Sequence, residues 1–397
     1  MTITAAFANA PSRDFARRLI RVTISCCVLT AVLAPQASAQ AEKTAASVPW
    51  SLTLGVDEQY DSNVSFSTAQ TAGDLGSRFG AHLARDWDLR RGRVTFGGDA
   101  RQLVYRQSTS LNQFTYGLEV GVTYLISPRL SWRLGDAVTS AYAQDSRPLL
   151  DAGLVFPKVL TRVNVATSEL TYDLSRTTQV RWRVGQQNVS FNSPAFSAGS
   201  NLSTGVSLTR TVTQSQTVGV RIDQSFATNG TTGDVGGLLG TWQLTGNSVT
   251  LAASMGIRPY TLPGHSGYLF APGGSIGVTG RLPGPSALGL RYERAVEQAY
   301  GISTGTHLAH RVTATYVVTA GRRVTLDASA NYGLNTYPLQ PDLRLEGRTA
   351  AVGLRYLLVQ NLSVGGQYTI WVRRDQSSAP VTTYRDTVSL LYGVSWR

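Results

Sequence analysis

From Phe114 to Tyr124 the chain alternates without a break. Phe114, Tyr116, Leu118, Val120, Val122 and Tyr124 are apolar, and Thr115, Gly117, Glu119, Gly121 and Thr123 between them are small or polar. A period of two puts these sets on opposite faces of a β-strand, whereas a helix would scatter both around its axis. The stretch also has the length, about 9 to 11 residues, that a tilted strand needs to cross an outer membrane. An apolar stripe that begins and ends in aromatics suits a surface facing lipid, with a girdle at each interface.

The pattern recurs. Val180, Trp182 and Val184 alternate with Arg181, Arg183 and Gly185, and Val218, Val220, Ile222 and Phe226 with Gly219, Arg221, Asp223 and Ser225. Val249 to Ile257, Val324 to Tyr332 and Val388 to Trp396 repeat it. Short turns are expected near Leu89–Gly92, Ser127–Arg129, Ser175–Thr178, Thr213–Ser215, Thr245–Asn247, Pro283–Pro285, Thr319–Arg322 and Val359–Asn361. Longer polar loops are expected at Asp61–Gly73, Gln144–Pro157, Asn192–Ser200, Thr261–His265, Leu334–Asp342 and Gln376–Thr382. Short turns at one end and long loops at the other describe an outer-membrane barrel. The fold class is therefore all-β: a transmembrane antiparallel up-and-down β-barrel of about 18 strands, spanning residues 48–397. A secreted sandwich, propeller or adhesin also alternates, but buries its apolar face against a second sheet and has less use for long strands flanked by aromatics.

The first forty residues read differently. Arg13, Arg17, Arg18 and Arg21 precede an apolar run from Val22 to Leu33, and Ala37 and Ala39 sit where a signal peptidase requires small residues. Residues 1–39 are expected to be a cleaved signal peptide, and 40–47 a short periplasmic lead-in with no room for a plug domain. Cys26 and Cys27 are the only cysteines, so the exported chain would have neither disulfides nor thiolate chemistry. The full chain carries 36 Lys+Arg against 24 Asp+Glu; removing Arg13, Arg17, Arg18, Arg21 and Asp14 leaves 32 against 23, a net charge of +9.

If the apolar face meets lipid, the other face lines a channel, since about eighteen strands enclose an aqueous lumen unless a segment fills it. Alternation places Arg133, Arg181, Arg183, Arg221, Arg291, Arg311, Arg355, Arg373 and Arg385 on that face, with fewer carboxylates: Glu119, Asp223, Glu293 and Asp327. Guanidinium groups bind carboxylate and phosphate in a forked geometry, so such a wall favours anionic solutes. Arginines near the rim would instead meet lipopolysaccharide phosphates. A filling segment would have to be an infolded loop, with Gln144–Pro157 and Thr261–His265 as candidates.

No catalytic, cofactor-binding or metal-binding constellation emerges, and the chain reads as a non-enzyme. His307 and His310 are three apart on a strand, so they point to opposite faces and make no zinc pair. The glycine pairs Gly273-Gly274 and Gly365-Gly366 read as close packing or bulges. Nucleic acid is not expected as a partner, because the aromatics occupy the face opposite the arginines.

After the first strand comes Tyr60-Asp61-Ser62-Asn63-Val64, a strand end followed by turn-forming residues. With the leader, the hairpin repeat and the size, this segment resembles the outer-membrane β-barrel porin families associated with exopolysaccharide export. The resemblance implies passage of a polysaccharide, here acidic, and a separate periplasmic export protein as partner. It carries over no catalytic residues. A selective or general diffusion porin for small-solute uptake shares every one of these features, and a non-conducting structural or adhesin barrel is a third reading. The closing strand also resembles the signal read by the barrel-assembly machinery, although Arg397 follows the final aromatic. The expected location is the outer membrane of a Gram-negative bacterium.

Overall fold

The computed structural model describes residues 50–66, 71–143, 159–228, 232–262, 265–282, 284–298, 306–376 and 381–396. The leader and the lead-in expected at 1–39 and 40–47 lie outside them, as do the segments 144–158 and 263–264 of the two candidate plug loops.

Eighteen antiparallel strands follow one another: β1 (Ser51–Asp61), β2 (Asp74–Leu89), β3 (Gly92–Tyr105), β4 (Gln113–Ser127), β5 (Leu130–Tyr142) and β6 (Leu160–Asp173). Next come β7 (Thr178–Phe191), β8 (Gly199–Thr211), β9 (Gln216–Thr228), β10 (Thr232–Thr245), β11 (Val249–Tyr260) and β12 (Leu269–Leu282). The last six are β13 (Ser286–Gln298), β14 (Thr306–Ala320), β15 (Val324–Tyr337), β16 (Gln340–Val359), β17 (Leu362–Asp375) and β18 (Val381–Trp396). Each strand pairs with its neighbours in sequence, and β1 pairs with β18 from Leu52↔Trp396 to Asp61↔Thr387. The sheet is thus closed, with no edge left for its backbone groups to go unpaired in lipid.

Local chemistry sets the short turns. Ser175 Oγ accepts the backbone N–H groups of Thr177 and Thr178, and Thr213 Oγ1 accepts those of Ser215 and Gln216, so a hydroxyl folds each turn on itself. Gly284 and Gly321 occupy positive φ (+85° and +65°) at two other turns, where a side chain would clash with its own backbone. All eight expected turns connect strands at this end, where both barrel termini also lie, which marks it as periplasmic. Leu334–Asp342 departs from expectation. It is no long loop: β15 and β16 run through it and meet in a hairpin at Tyr337↔Gln340. At this height the strands project past the membrane, where polar residues such as Asn335, Thr336 and Gln340 suit either face of a strand.

The register carries one face all the way round. Val56↔Phe79, Val120↔Phe96, Trp182↔Val206, Ile222↔Leu238 and Leu354↔Leu326 are cross-strand pairs on the outer surface. These side chains have no protein layer over them, and many remain more than a third exposed, which is tolerable only against lipid. Trp50, Tyr124, Trp132, Trp182, Tyr392 and Trp396 band the periplasmic end, and Tyr60, Phe114, Phe226 and Phe270 the other. In the lower band Arg85 lies 5.0 Å from the ring centres of both Trp50 and Trp87, so its charge sits at the headgroup level, held by two π faces.

Candidate functional site: the inner wall and its mouth

All thirteen residues singled out for the lumen lie on the inward face. The register couples Arg133 to Glu169 and Glu169 to Arg183, Arg221 to Ser207, Asp223 to Gly237, Arg291 to Gly277, and Glu293 to Arg311. Glu119 faces Gly97, Asp327 faces Gly353, Arg355 faces Gly365, Arg373 faces Thr383 and Arg385 faces Trp371.

The balance of charge on this face differs from expectation. Asp57, Asp61, Asp86, Asp99, Glu169 and Glu297 join the four carboxylates above, and Arg78, Arg93, Arg101 and Arg258 join the arginines. Arg78–Asp57 (3.5 Å), Arg181–Glu169 (3.6 Å), Arg221–Asp223 (2.9 Å), Arg258–Asp223 (3.8 Å) and Arg291–Glu293 (2.9 Å) are ion pairs, as are Arg93–Asp86 and Arg311–Glu297. Among the described residues, Arg133, Arg183 and Arg355 have no carboxylate within ion-pair distance. Carboxylates are therefore not scarce on the wall. Most of these additional charges lie on β1, β2, β3 and β6, strands whose alternation is less regular; on β6, outward Leu170 and Tyr172 fix the inward parity of Glu169.

Reach, more than number, separates the two charges. The side chain of Arg221 is 53% exposed and that of Asp223 16%; for Arg181 and Glu169 the values are 49% and 20%, and for Arg291 and Glu293 61% and 29%. Glycines directly across the ladder make this possible. A Cβ at Gly97 would lie 2.6 Å from Glu119 Oε1, at Gly117 2.4 Å from Asp99 Oδ1, at Gly237 2.0 Å from Asp223 Oδ1 and at Gly353 2.8 Å from Asp327 Oδ1. The acids lie down in these notches while the longer guanidinium arms project. Gly273-Gly274 and Gly365-Gly366 sit in regular ladders without bulges, packed close to Arg258 and to the backbone of Ser254 and Leu354.

Three arginines do not project: Arg258 is as enclosed as Asp223, Arg311 is more enclosed than its partner Glu297, and Arg385 is buried. Arg385 is 4% exposed, pairs with fully buried Asp61, and stacks 4.6 Å from the centre of the Trp371 ring. The inward face does hold aromatics, including Trp371, Tyr105 and Tyr337, so the separation of rings from arginines read from the sequence does not hold throughout. Tyr105 Oη donates to Asp61 Oδ2 (3.2 Å), and Asn63 N–H donates to Asp61 Oδ1 (3.1 Å). Tyr60-Asp61-Ser62-Asn63-Val64 thus closes the β1–β18 seam, with Val64 packed beside Leu103, Tyr105 and Tyr142.

The extracellular mouth is bridged by apolar contacts. Ala143 beyond β5, with Phe191 and Phe196 at the end of β7, packs on Tyr337, Leu343 and Leu345 of β15 and β16, on the nearly opposite wall. A second cluster joins Val235, Tyr260, Leu262, Ala271 and Val296. It forms because β13 leaves β12 above Gly274↔Arg294 and leans toward β10, where Gln298 Nε2 donates to the Gly233 carbonyl at 2.8 Å. His307 is buried on the inward face, its ring 5.5 Å from that of Tyr337, whereas outward His310 meets the Tyr292 hydroxyl at 3.0 Å. Below this mouth a cavity of about 620 Å³ runs down the β6–β14 side. Arg181, Arg183, Arg221, Arg258, Arg311 and Glu169 are among its lining.

Solved structures to which this chain is similar include OccAB4 of Acinetobacter baumannii (13% identity, 88% of this chain and 99% of that one, TM-score 0.46). The outer membrane protein opdK from Pseudomonas aeruginosa is 11% identical over 88% of this chain and 99% of its own (TM-score 0.44). The siderophore receptor PirA from Pseudomonas aeruginosa is 10% identical over 88% and 80% (TM-score 0.43). No family model matches the sequence, and no curated protein matches it.

What the wall can do chemically follows from its groups alone. The described residues contain no group of three or more His, Cys, Asp or Glu side chains able to hold a metal ion. The inner surface offers forked cations, amides and hydroxyls around water. Such a surface exchanges the hydration of a polar solute for hydrogen bonds and discriminates by charge and size.

Proposed function

We propose that this barrel is an outer-membrane channel through which small, polar, anionic solutes diffuse selectively. The observation that carries the reading is the wall of the cavity, where Arg181 and Arg221 project and their carboxylate partners lie back against the sheet. A passing solute meets the guanidinium groups first. The bridged mouth favours a compact solute over a polymer, since a polysaccharide in transit would have to displace the apolar cluster that joins Ala143, Phe191 and Phe196 to Tyr337, Leu343 and Leu345. This weighs for the diffusion channel and against export of an acidic exopolysaccharide.

The rest of the reading belongs with it. The chain is exported through a cleaved leader and resides in the outer membrane of a Gram-negative bacterium. Outward-facing Arg294, Arg344, Arg348 and Arg374 at the upper rim suit contact with lipopolysaccharide phosphates.

Planar-bilayer recording of the refolded exported chain tests the proposal. Stable openings with an anion-selective reversal potential in a salt gradient, reduced in size by millimolar small carboxylates, are expected. Folded protein that never opens, or that prefers cations, would refute it.

A further inference from the structure

On most of the barrel the outward face is apolar, but at the upper ends of β6 and β7 the two faces exchange character. Val163, Val165, Val189 and Phe191 point inward and pack together under the mouth. Outward, at the same heights, stand Arg162, Asn164, Gln186, Asn188 and Ser190, with Arg162, Gln186 and Ser190 exposed. Asp136 of β5, also exposed, sits on the outer face opposite Val120 and Ala166. Its Oδ1 accepts Asn164 Nδ2 at 2.9 Å.

The depth of Asp136 makes this a problem for lipid. It lies four positions along the strand from Trp132 in the periplasmic girdle, which at strand rise and tilt is about 10 Å up into an apolar belt about 25 Å tall. A carboxylate facing acyl chains there is costly, and its hydrogen bond to Asn164 leaves the second oxygen to be satisfied from outside the chain.

We infer that the outer face of β5–β7 is covered by a second copy of this chain, through an interface centred on Asp136 and Asn164. The occupant must itself lie within the bilayer, which sets aside soluble partners. Copies related by an axis along the membrane normal meet at equal depth, so the patch must complement itself row by row. Gln186 and Asn188 each offer both donors and an acceptor, and in the row of Asp136 and Asn164 the free carboxylate oxygen can accept from an amide of the copy. Polar groups that would be unsatisfied in lipid are satisfied by a copy, as between packed membrane helices. The opposite wall carries outward charges too, Glu346, Arg348 and Arg374 at the rim and Glu58 beside Leu390, but nearer the depth of Asp136 its outward Val352 and Leu354 are exposed and apolar.

The exported chain has no cysteine, so single cysteines report proximity cleanly. With the full chain in its native outer membrane, Ser190→Cys is expected to give a species of twice the mass with a short bifunctional thiol reagent, and Leu390→Cys to give none. Adding Asp136→Leu and Asn164→Leu, which suit lipid, should cut that species at least fivefold while heat-modifiable migration on gels shows the barrel still folded. As a second measure, wild type in mild detergent should have the mass of two or more copies by light scattering. A monomeric wild type without Ser190→Cys cross-links, cross-linking that the double substitution leaves unchanged, or equal cross-linking at position 390 would overturn the inference.

Discussion

Arg385 grips Asp61 with two parallel hydrogen bonds, Nε to Oδ1 at 2.9 Å and a terminal nitrogen to Oδ2 at 2.7 Å, across the seam where the last strand meets the first. The two residues are 324 positions apart, and both are buried. Asp61→Ala removes the acceptor and strands a guanidinium in a dry site, so a loss of about 3–5 kcal/mol is expected. Urea unfolding in detergent micelles, followed by tryptophan fluorescence, measures it. Pairing the change with Arg385→Met should recover most of the loss, because the stranded charge is then gone. A double variant no more stable than the single would show that the pair matters by attraction and not by mutual neutralisation.

The projecting arginines should set selectivity. In a water-filled lumen one charge about 6 Å from a passing ion is worth about 0.7 kcal/mol, near a threefold change in population. Replacing Arg181, Arg183 and Arg221 together with serine should therefore lower the anion-to-cation permeability ratio at least threefold. Reversal potentials in a tenfold salt gradient report this directly, and an unchanged ratio would place the selective charges elsewhere.

Gly237→Ala offers a test that leaves net charge constant. The new Cβ would fall 2.0 Å from Asp223 Oδ1, so the carboxylate must swing off the wall and away from Arg221 and Arg258. Overpacking of this kind costs about 1–3 kcal/mol. Anion preference should fall although no ionisable group has changed. Folded Gly237→Ala protein with wild-type selectivity would mean that the recessed position of the acid has no bearing on permeation.

The mouth bridge should limit current. Phe196 is half-buried, with its ring 5.5 Å from that of Phe191, and truncating it to alanine is expected to weaken the bridge by about 1–2 kcal/mol, less than a fully buried phenylalanine would cost. Single-channel recordings of Phe196→Ala should show larger or longer openings. Indistinguishable openings would locate the narrowest point below the mouth.

Much of this was legible beforehand, for a physical reason: lipid on one side and water on the other impose a two-residue period that needs no knowledge of neighbours. Phe114 to Tyr124 and Val388 to Trp396 show that period openly, and the turn hydroxyls of Ser175 and Thr213 act within four residues of themselves. Strand β6 shows where the rule stops. Val163 and Val165 would be placed outward by polarity alone, yet the register set by Leu170 and Tyr172 turns them inward.

The sequence by itself determined a closed sheet with eight tight turns on one side, because alternation and turn chemistry are local. It also determined the inward direction of Arg181, Arg221 and Glu293, since direction follows from parity along a strand. Tertiary structure decided what those directions mean. Only the ladder sets Asp223 over Gly237, so that an acid lies flat beside a projecting arginine. Only closure brings Asp61 to Arg385, and only the inward lean of strand ends on opposite walls brings Phe196 to Tyr337. Such contacts join residues far apart in the chain, and no periodicity records which distant residue a side chain will meet.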